Sequence, residues 1–338
     1  MTDDAELPGL PDLSDLLATA RVVALPLVTR FRGIDVREAL LLEGPEGWTE
    51  FSPFAEYDDE EASAWLAAAI DFGWSPAPPA LRDAIRVNAT VPDVDPDEVR
   101  AVLDRFPGCR TAKVKVAASD RTLAQDVARV RVVREVLGPE GRVRLDANAG
   151  WNVDEAEHAI HAMAEFDLEY VEQPCATVEE LAEIRRRTKY LGIPIAADES
   201  VRRASDPLAV AEAGAADLLV VKAQPLGGIR RALAIVAAAG LPVNVSSALD
   251  TSVGLAMGAH LAAAMPELEF DCGLGTASLL AADVTDAPLA PVDGAVPVRR
   301  VEASAALLDR WAADGDRTAW WLARLERCHA VLATGAGR

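Results

Sequence analysis

Charged residues stand at the same end of several short apolar runs. Lys113 and Lys115 alternate with Val114 and Val116 in AKVKVA (112–117), and Arg144, Asp146 and Asn148 alternate through RVRLDAN (142–148). Glu172 falls near the end of LEYVEQ (168–173), Asp198 and Glu199 close IPIAADE (193–199), and Lys222 comes late in DLLVVKA (217–223). Side chains of an extended strand alternate between its two faces, so each set shares one face. Taken singly, each has a plain reading: a lone lysine marks an exposed strand end, and Asp198 is a helix N-cap before Glu199 and Ser200. Together they predict one convergent site, because buried charges are costly unless paired with each other or with a metal.

Asp146, Glu172 and Asp198 offer an all-oxygen site for a hard divalent cation, Mg²⁺ with Mn²⁺ as a substitute, leaving positions for a substrate carboxylate. Such a cation neutralises the second negative charge that forms when a proton leaves the carbon beside that carboxylate. The proton needs a base that is neutral part of the time. Burial, the Lys113 cation and the metal all favour a neutral Lys115. Lys222, expected across the site, serves as a second acid/base or as a fixed positive charge.

These residues need a scaffold that brings strand ends together. Eight runs recur from RVNATV (86–91) through LPVNVSS (241–247) to LEFDCG (268–273), and amphipathic stretches such as VDEAEHAIHAMAEF lie between them. This βα rhythm predicts an α/β fold, a (β/α) barrel over residues 85–287 with its site at the C-terminal strand ends. An open doubly wound sheet is the alternative, but no GxGxxG follows the first strand. Residues 1–84 read as an α+β capping domain, with strands near 20–28, 35–43 and 46–51 and a helix near 58–73. The tail 288–338 is Pro-rich, then helical over 303–330, and is expected to pack back with Trp311, Trp320 and Trp321 as packing residues.

The formal net charge of -21 argues against nucleic acid or an anionic membrane as partner, because phosphate is bound through an excess of Lys and Arg. Cys109, Cys175, Cys272 and Cys328 are too scattered for a zinc pattern and read as free thiols of a cytoplasmic protein. The acidic start, MTDDAELPGLPDL, differs from a secretory signal, and no apolar run reaches membrane-spanning length.

In order, KVK, RLDAN, YVEQP, AADES and VVKAQP resemble the muconate-lactonizing subgroup of the enolase superfamily across residues 86–275, and GWTEFSPF (47–54) extends the likeness into the cap. RFRGI, EFSPFAEY, SSALDTSVGLAMGAHLAAA and CGLGT (272–276) resemble more narrowly an actinobacterial branch of dehydrating synthases in menaquinone biosynthesis. The resemblance implies an enolase-type barrel, Mg²⁺, and a hydro-lyase that takes a small-molecule carboxylate through an enediolate to an aromatic product. It implies Lys115 as the base that returns its proton to the leaving hydroxide, with Lys222 stabilising the intermediate. Asp146, Glu172 and Asp198 become the metal ligands, Lys113 tunes Lys115, and Arg144, Asn148 and Glu199 give support from behind. A cap loop around Val28 to Gly33 is expected to close the mouth, placing Arg30 and Arg32 near the substrate.

Strand phase selects Ser246 over Ser247 as a substrate contact, and Gly273 and Gly275 offer close backbone approach or simply a turn. His158 and His161 have metal-pair spacing but belong to an outer helix, and His260 reads as a packing residue. The pair Gly227–Gly228 suits an anion at a helix start, though a tight turn is the simpler reading. Racemisation of N-succinylamino acids and cycloisomerisation would use the same site. A Schiff-base aldolase on Lys222 leaves the carboxylates and Lys115 without a role, and a non-catalytic binding barrel has no need of the acids.

Overall fold

In a computed structural model, which describes residues 9–203 and 206–335, three runs rich in aliphatic residues pair as an antiparallel meander: β1 (Arg21–Phe31), β2 (Ile34–Gly44) and β3 (Gly47–Phe51). Arg32 and Gly33, with φ of 50° and 78°, turn β1 into β2, the left-handed geometry that suits strand twist. The helix Asp59–Trp74 follows, and the Asp58 side chain caps it by accepting from the Glu61 amide. Its residues Trp65, Leu66 and Ile70 share a core with Leu40, Leu42 and Phe51 and with Trp321, Leu325 and Cys328 of the C-terminal helix Gly315–Ala333.

β4 (Ala84–Arg86) leads into the parallel strands β5 (Ala89–Val91), β6 (Thr111–Lys115), β7 (Arg142–Asp146), β8 (Leu168–Glu172), β9 (Ile195–Ala197), β10 (Leu218–Val221) and β11 (Val243–Val245), which neighbour one another in chain order. The curled sheet is closed by two parallel bridges, Val87 to Cys272 and Ser246 to Gly273. The eighth run is therefore shorter than LEFDCG suggests: the Asp271 carbonyl accepts from Arg144 Nη1 (2.6 Å) rather than from a neighbouring strand. The first run is split, since Arg86 belongs to β4, which pairs with β12 (Ala295–Pro297). Helices after β6, β7 and β8 each begin with a capping box, Thr122 with Gln125, Asn152 with Glu155 and Thr177 with Glu180.

A bulge at Glu169 sets the phase of β8: Val143 pairs with Leu168 but Arg144 pairs with Tyr170. Val114, Leu145 and Val171 belong to the large core, while Tyr170, Ala196, Leu218 and Val220 form a separate cluster with Phe270.

The tail departs from a single helix over 303–330. It forms Ala305–Arg310 and Gly315–Ala333, because the residues between them add to the edge of β1: Ala24 donates to Trp311 and Ala313 to Val22 (2.9 and 3.0 Å). Two cap carboxylates seat the meander on the barrel. Asp71 receives the Ile229 amide (3.3 Å) and Arg230 (2.8 Å), and Glu50 receives Thr251 and Gly254 amides (3.1 and 3.2 Å). Each carboxylate thereby meets the positive end of a barrel helix. The Gly227–Gly228 turn does receive an anion, and that anion is Asp71 of the cap.

Candidate active site

Lys115, Asp146 and Glu172 are the last residues of β6, β7 and β8, while Asp198 and Lys222 follow β9 and β10 by one residue. Parallel strands put all five at one mouth. Lys113 Nζ lies 2.8 Å from Asp146 Oδ2 and 2.6 Å from Glu172 Oε1. Lys115 Nζ donates to Asp146 Oδ2 (2.6 Å) and Asn148 Oδ1 (2.7 Å), and Lys222 pairs with Asp198. Asp198 does stand before a short helical turn, but its side chain makes no cap bond there.

Burial alone would raise the Asp146 pKa, yet Lys113 and Lys115 outweigh it and hold the carboxyl well below its usual range. Glu172 goes the other way, pushed up to about 8 by burial, with Asp146 and Asp198 crowding it against the pull of Lys113. Burial opposes the charge of Lys113, but Asp146, Glu172 and Asp198 keep its pKa well above that of a free lysine. Glu172 Oε2 is buried and has no hydrogen-bond partner. Among the described residues no three metal-ligating side chains share one centre; Lys113 stands between Asp146 and Glu172, and Lys222 holds Asp198. The donor set nevertheless fits a hard divalent cation: three carboxylates, one with an orphaned oxygen, crowded enough to raise a pKa.

The supporting residues divide. Asn148 adopts φ 45° and bonds Lys115 and Glu199, so it belongs to the mouth. Glu199 instead accepts from Asn148 and Arg202. Arg144 pairs with Lys113 in the strand ladder, but its side chain bonds Glu169 (2.5 Å) and Asn88 (3.1 Å) and stacks on Tyr170 in the barrel interior. Ser246 and Ser247 both line the mouth, but Ser247 is engaged by the Gly273 carbonyl (2.8 Å) and Thr276 (2.7 Å). A side chain at Gly273 would meet the Ser246 hydroxyl and force it to shift; Gly275 lies beside Asn88 and does not line the mouth. Arg32 does line it, stacked 4.2 Å from the Phe54 ring, whereas Arg30 turns to the Gly33 carbonyl at 3.1 Å.

Sequence reasoning missed Gln173, whose side chain ties the ends of β8 and β9 by accepting from the Asp198 and Ser200 amides (2.9 and 3.2 Å). Its place in YVEQP was the available signal. It also missed Phe31 and Phe54, which with Arg32 roof the mouth and leave a cavity of only about 40 Å³. A larger cavity of about 650 Å³ lies at the opposite strand ends, where Arg82, Arg86, Arg110 and Arg142 alternate with Glu140, Glu269 and Asp271. His161 bonds the Tyr190 hydroxyl, and His260 bonds the Ala256 carbonyl.

Residues 95–302 match the Enolase C-terminal domain-like family and residues 22–73 the Enolase N-terminal domain-like family. Among solved structures, muconate lactonizing enzyme from Pseudomonas fluorescens complexed with muconolactone superposes with a TM-score of 0.74 at 19% identity, covering 87% of this chain and 98% of that one. The o-succinylbenzoate synthase of Thermobifida fusca (strain YX) is 56% identical, covering 93% of this chain and 96% of that protein. That of Mycobacterium ulcerans (strain Agy99) is 52% identical, covering 98% and 99%. The chain belongs to the o-succinylbenzoate synthases of the enolase superfamily. As a member of the o-succinylbenzoate synthases it is a hydro-lyase, which sets aside the aldolase and the non-catalytic barrel. No helix among the described residues is long and apolar enough to cross a membrane.

Proposed function

We propose that the chain removes water from 2-succinyl-6-hydroxy-2,4-cyclohexadiene-1-carboxylate to give o-succinylbenzoate, a step of menaquinone biosynthesis in the cytoplasm. The observation that carries the reading is the pair Lys115 and Lys222, which line one closed mouth and each pair with a strand-end carboxylate. The Lys115 amine takes the proton from the ring carbon next to the carboxylate, and the electron pair moves into the carboxylate as an enediolate. Lys222, just past β10 across the mouth, keeps a positive charge facing that intermediate. As the enediolate collapses, the C–O bond to the hydroxyl breaks and Lys115 gives its proton to the departing oxygen. One base then serves a syn elimination, and the aromatic ring makes the second step downhill.

Asp146, Glu172 and Asp198 would hold Mg²⁺, or Mn²⁺ in its place, and the bound cation would supply positive charge for the substrate carboxylate. Lys113, sandwiched between Asp146 and Glu172, keeps Asp146 ionised, opposes the upward shift of Glu172 and adds positive charge beside Lys115. Ser246, Gly273 and Arg32 line the remaining space, and Arg32 would meet the succinyl carboxylate. With so little room under Phe31 and Phe54, the hairpin tip must lift for substrate to enter. Residues 85–287 would form the catalytic unit, and residues 1–84 with the tail 288–338 its cap, of which 1–8 and 336–338 lie outside the described residues.

The opposed lysines also suit racemisation of N-succinylamino acids, since that reaction exchanges protons on both faces of a carbon. Assay of the purified protein with the cyclohexadiene substrate, with Mg²⁺ and in excess chelator, tests the main reading. Metal-dependent formation of o-succinylbenzoate is expected, and turnover unaffected by chelator would overturn it.

A further inference from the structure

The hydrogen bonds of Lys115 continue beyond the barrel. Lys115 Nζ donates to Asn148 Oδ1 (2.7 Å), and Asn148 Nδ2 donates to Glu199 Oε1 (3.1 Å). Arg202 Nη2 donates to the same Glu199 oxygen (2.7 Å), and Arg202 Nη1 donates to the Tyr57 hydroxyl (2.8 Å). The chain of contacts therefore runs from the β6 lysine to the loop that opens the cap helix Asp59–Trp74.

Its polarity is fixed by chemistry. A carboxylate only accepts, so the Asn148 amide must turn its nitrogen to Glu199 and its oxygen to Lys115, whose Nζ carries hydrogens to donate as amine or ammonium. Rotating that amide would lose both bonds. The Asn148 backbone is held as well, at φ 45° with its N–H on Asp146 Oδ1 (3.1 Å). At the other end, Tyr57 packs against Phe54 and Trp65, and Arg324 of the C-terminal helix binds the Phe54 and Tyr57 carbonyls (3.1 and 2.6 Å). One end is thus part of the cap core and the other is the amine that must point at a carbon. Glu199 and Arg202 lie on the turn after β9, between the two.

We infer that Tyr57 and Arg202 are positioning residues, which orient Lys115 through Glu199 and Asn148 so that the base is aligned only when the cap is seated. The inference rests on Lys115 being the base, as proposed above. A misplacement of about 1 Å at a reacting group costs about 10²-fold in rate, so a relay of hydrogen bonds is enough to gate turnover. A plain brace between loop and barrel would instead alter stability or substrate affinity and would be indifferent to Asn148.

Steady-state kinetics on the full chain with Mg²⁺ and the cyclohexadiene substrate separates these. Tyr57→Phe is expected to lower kcat about fivefold with KM little changed, and Arg202→Ala about 10²-fold, with Arg202→Lys recovering part of the loss. Arg202→Ala combined with Asn148→Ala should be no slower than Asn148→Ala alone, because both break one relay. Should Arg202→Ala fail to fold, Tyr57→Phe, which removes a single oxygen, decides. Unchanged kcat in Tyr57→Phe and Arg202→Ala, a loss confined to KM, or fully additive losses with Asn148→Ala would overturn the relay. Lys115→Ala run alongside must be inactive; if it turns over normally, the base assignment itself fails and the relay with it.

Discussion

Lys115 Nζ lies 2.6 Å from Asp146 Oδ2, so the proposed base and a proposed metal ligand share a hydrogen bond. Asp146 also receives Lys113, and removing its charge takes the counter-ion from two buried or nearly buried lysines at once. Asp146→Asn keeps the volume but should abolish turnover and weaken Mg²⁺ binding, at a stability cost of about 3 kcal/mol. Isothermal titration with Mg²⁺ and thermal melts check the two effects separately. Wild-type Mg²⁺ affinity in the variant would remove Asp146 from the ligand set.

In the proposed mechanism Lys115 and Lys222 act on one transition state from the C-terminal ends of β6 and β10. Lys115→Ala and Lys222→Ala should each lose at least about 10³-fold in kcat, and the double variant should lose far less than the product of the two. Single-turnover rates give the comparison. Additive losses would mean that the lysines serve separate steps.

Much of this site is visible in the sequence because polar residues interrupt runs that are otherwise apolar, as Lys113 and Lys115 do between Val114 and Val116. The barrel is legible because eight short apolar runs recur with amphipathic stretches between them. What stays hidden depends on contacts between distant segments or on local backbone changes. The Glu169 bulge shifts the phase of β8, and Asn148 leaves the strand alternation for the left-handed region. Asp71 reaches the Gly228 helix start across more than 150 residues. The tail helix breaks at 311–314 where β1 offers an edge and Asp314 caps the next helix, and nothing in the tail's own pattern announces β1 as the partner.

Gly228 combines φ 116° with a Cβ position 2.8 Å from Asp71 Oδ2, so both backbone and space demand glycine. Gly228→Ala should therefore cost about 2 kcal/mol or more and loosen the cap from the barrel. Urea unfolding measures the loss. A variant as stable as the parent would show that Asp71 does not need this close approach.

Glu38 joins β2 to the C-terminal helix, bonding Arg317 at 2.8 and 2.6 Å and Trp321 Nε1 at 2.9 Å. Partial burial would raise its pKa, but Arg317 and Trp321 outweigh that and hold the carboxyl below its ordinary value. A depressed folded pKa stabilises the protein above the unfolded value, about 4.3, and the gain disappears as pH falls through the folded value. Because the pair is partly exposed, Glu38→Gln should cost only about 1 kcal/mol at pH 7, and its difference from wild type should shrink steadily below about pH 4. Chemical denaturation across that range tests it; a difference that grows on acidification would reverse the sign.

The last prediction separates dehydration from racemisation. Syn elimination needs one base on one face, because Lys115 can both take the ring proton and return it to the departing hydroxide. Aromatisation carries the reaction forward, so Lys222 need only remain charged. Racemisation needs a proton donor and acceptor on each face, so both lysines must exchange protons with the substrate carbon. In heavy water, a dedicated synthase should form o-succinylbenzoate quickly while N-succinylamino acids show little α-deuterium incorporation in either enantiomer. Mass spectrometry of the recovered amino acids reads the exchange directly. Lys115→Ala and Lys222→Ala sharpen the comparison: if a racemase were present, each variant would still exchange one enantiomer through its surviving lysine. Rapid exchange of both enantiomers with slow dehydration would make racemisation the principal activity of this site.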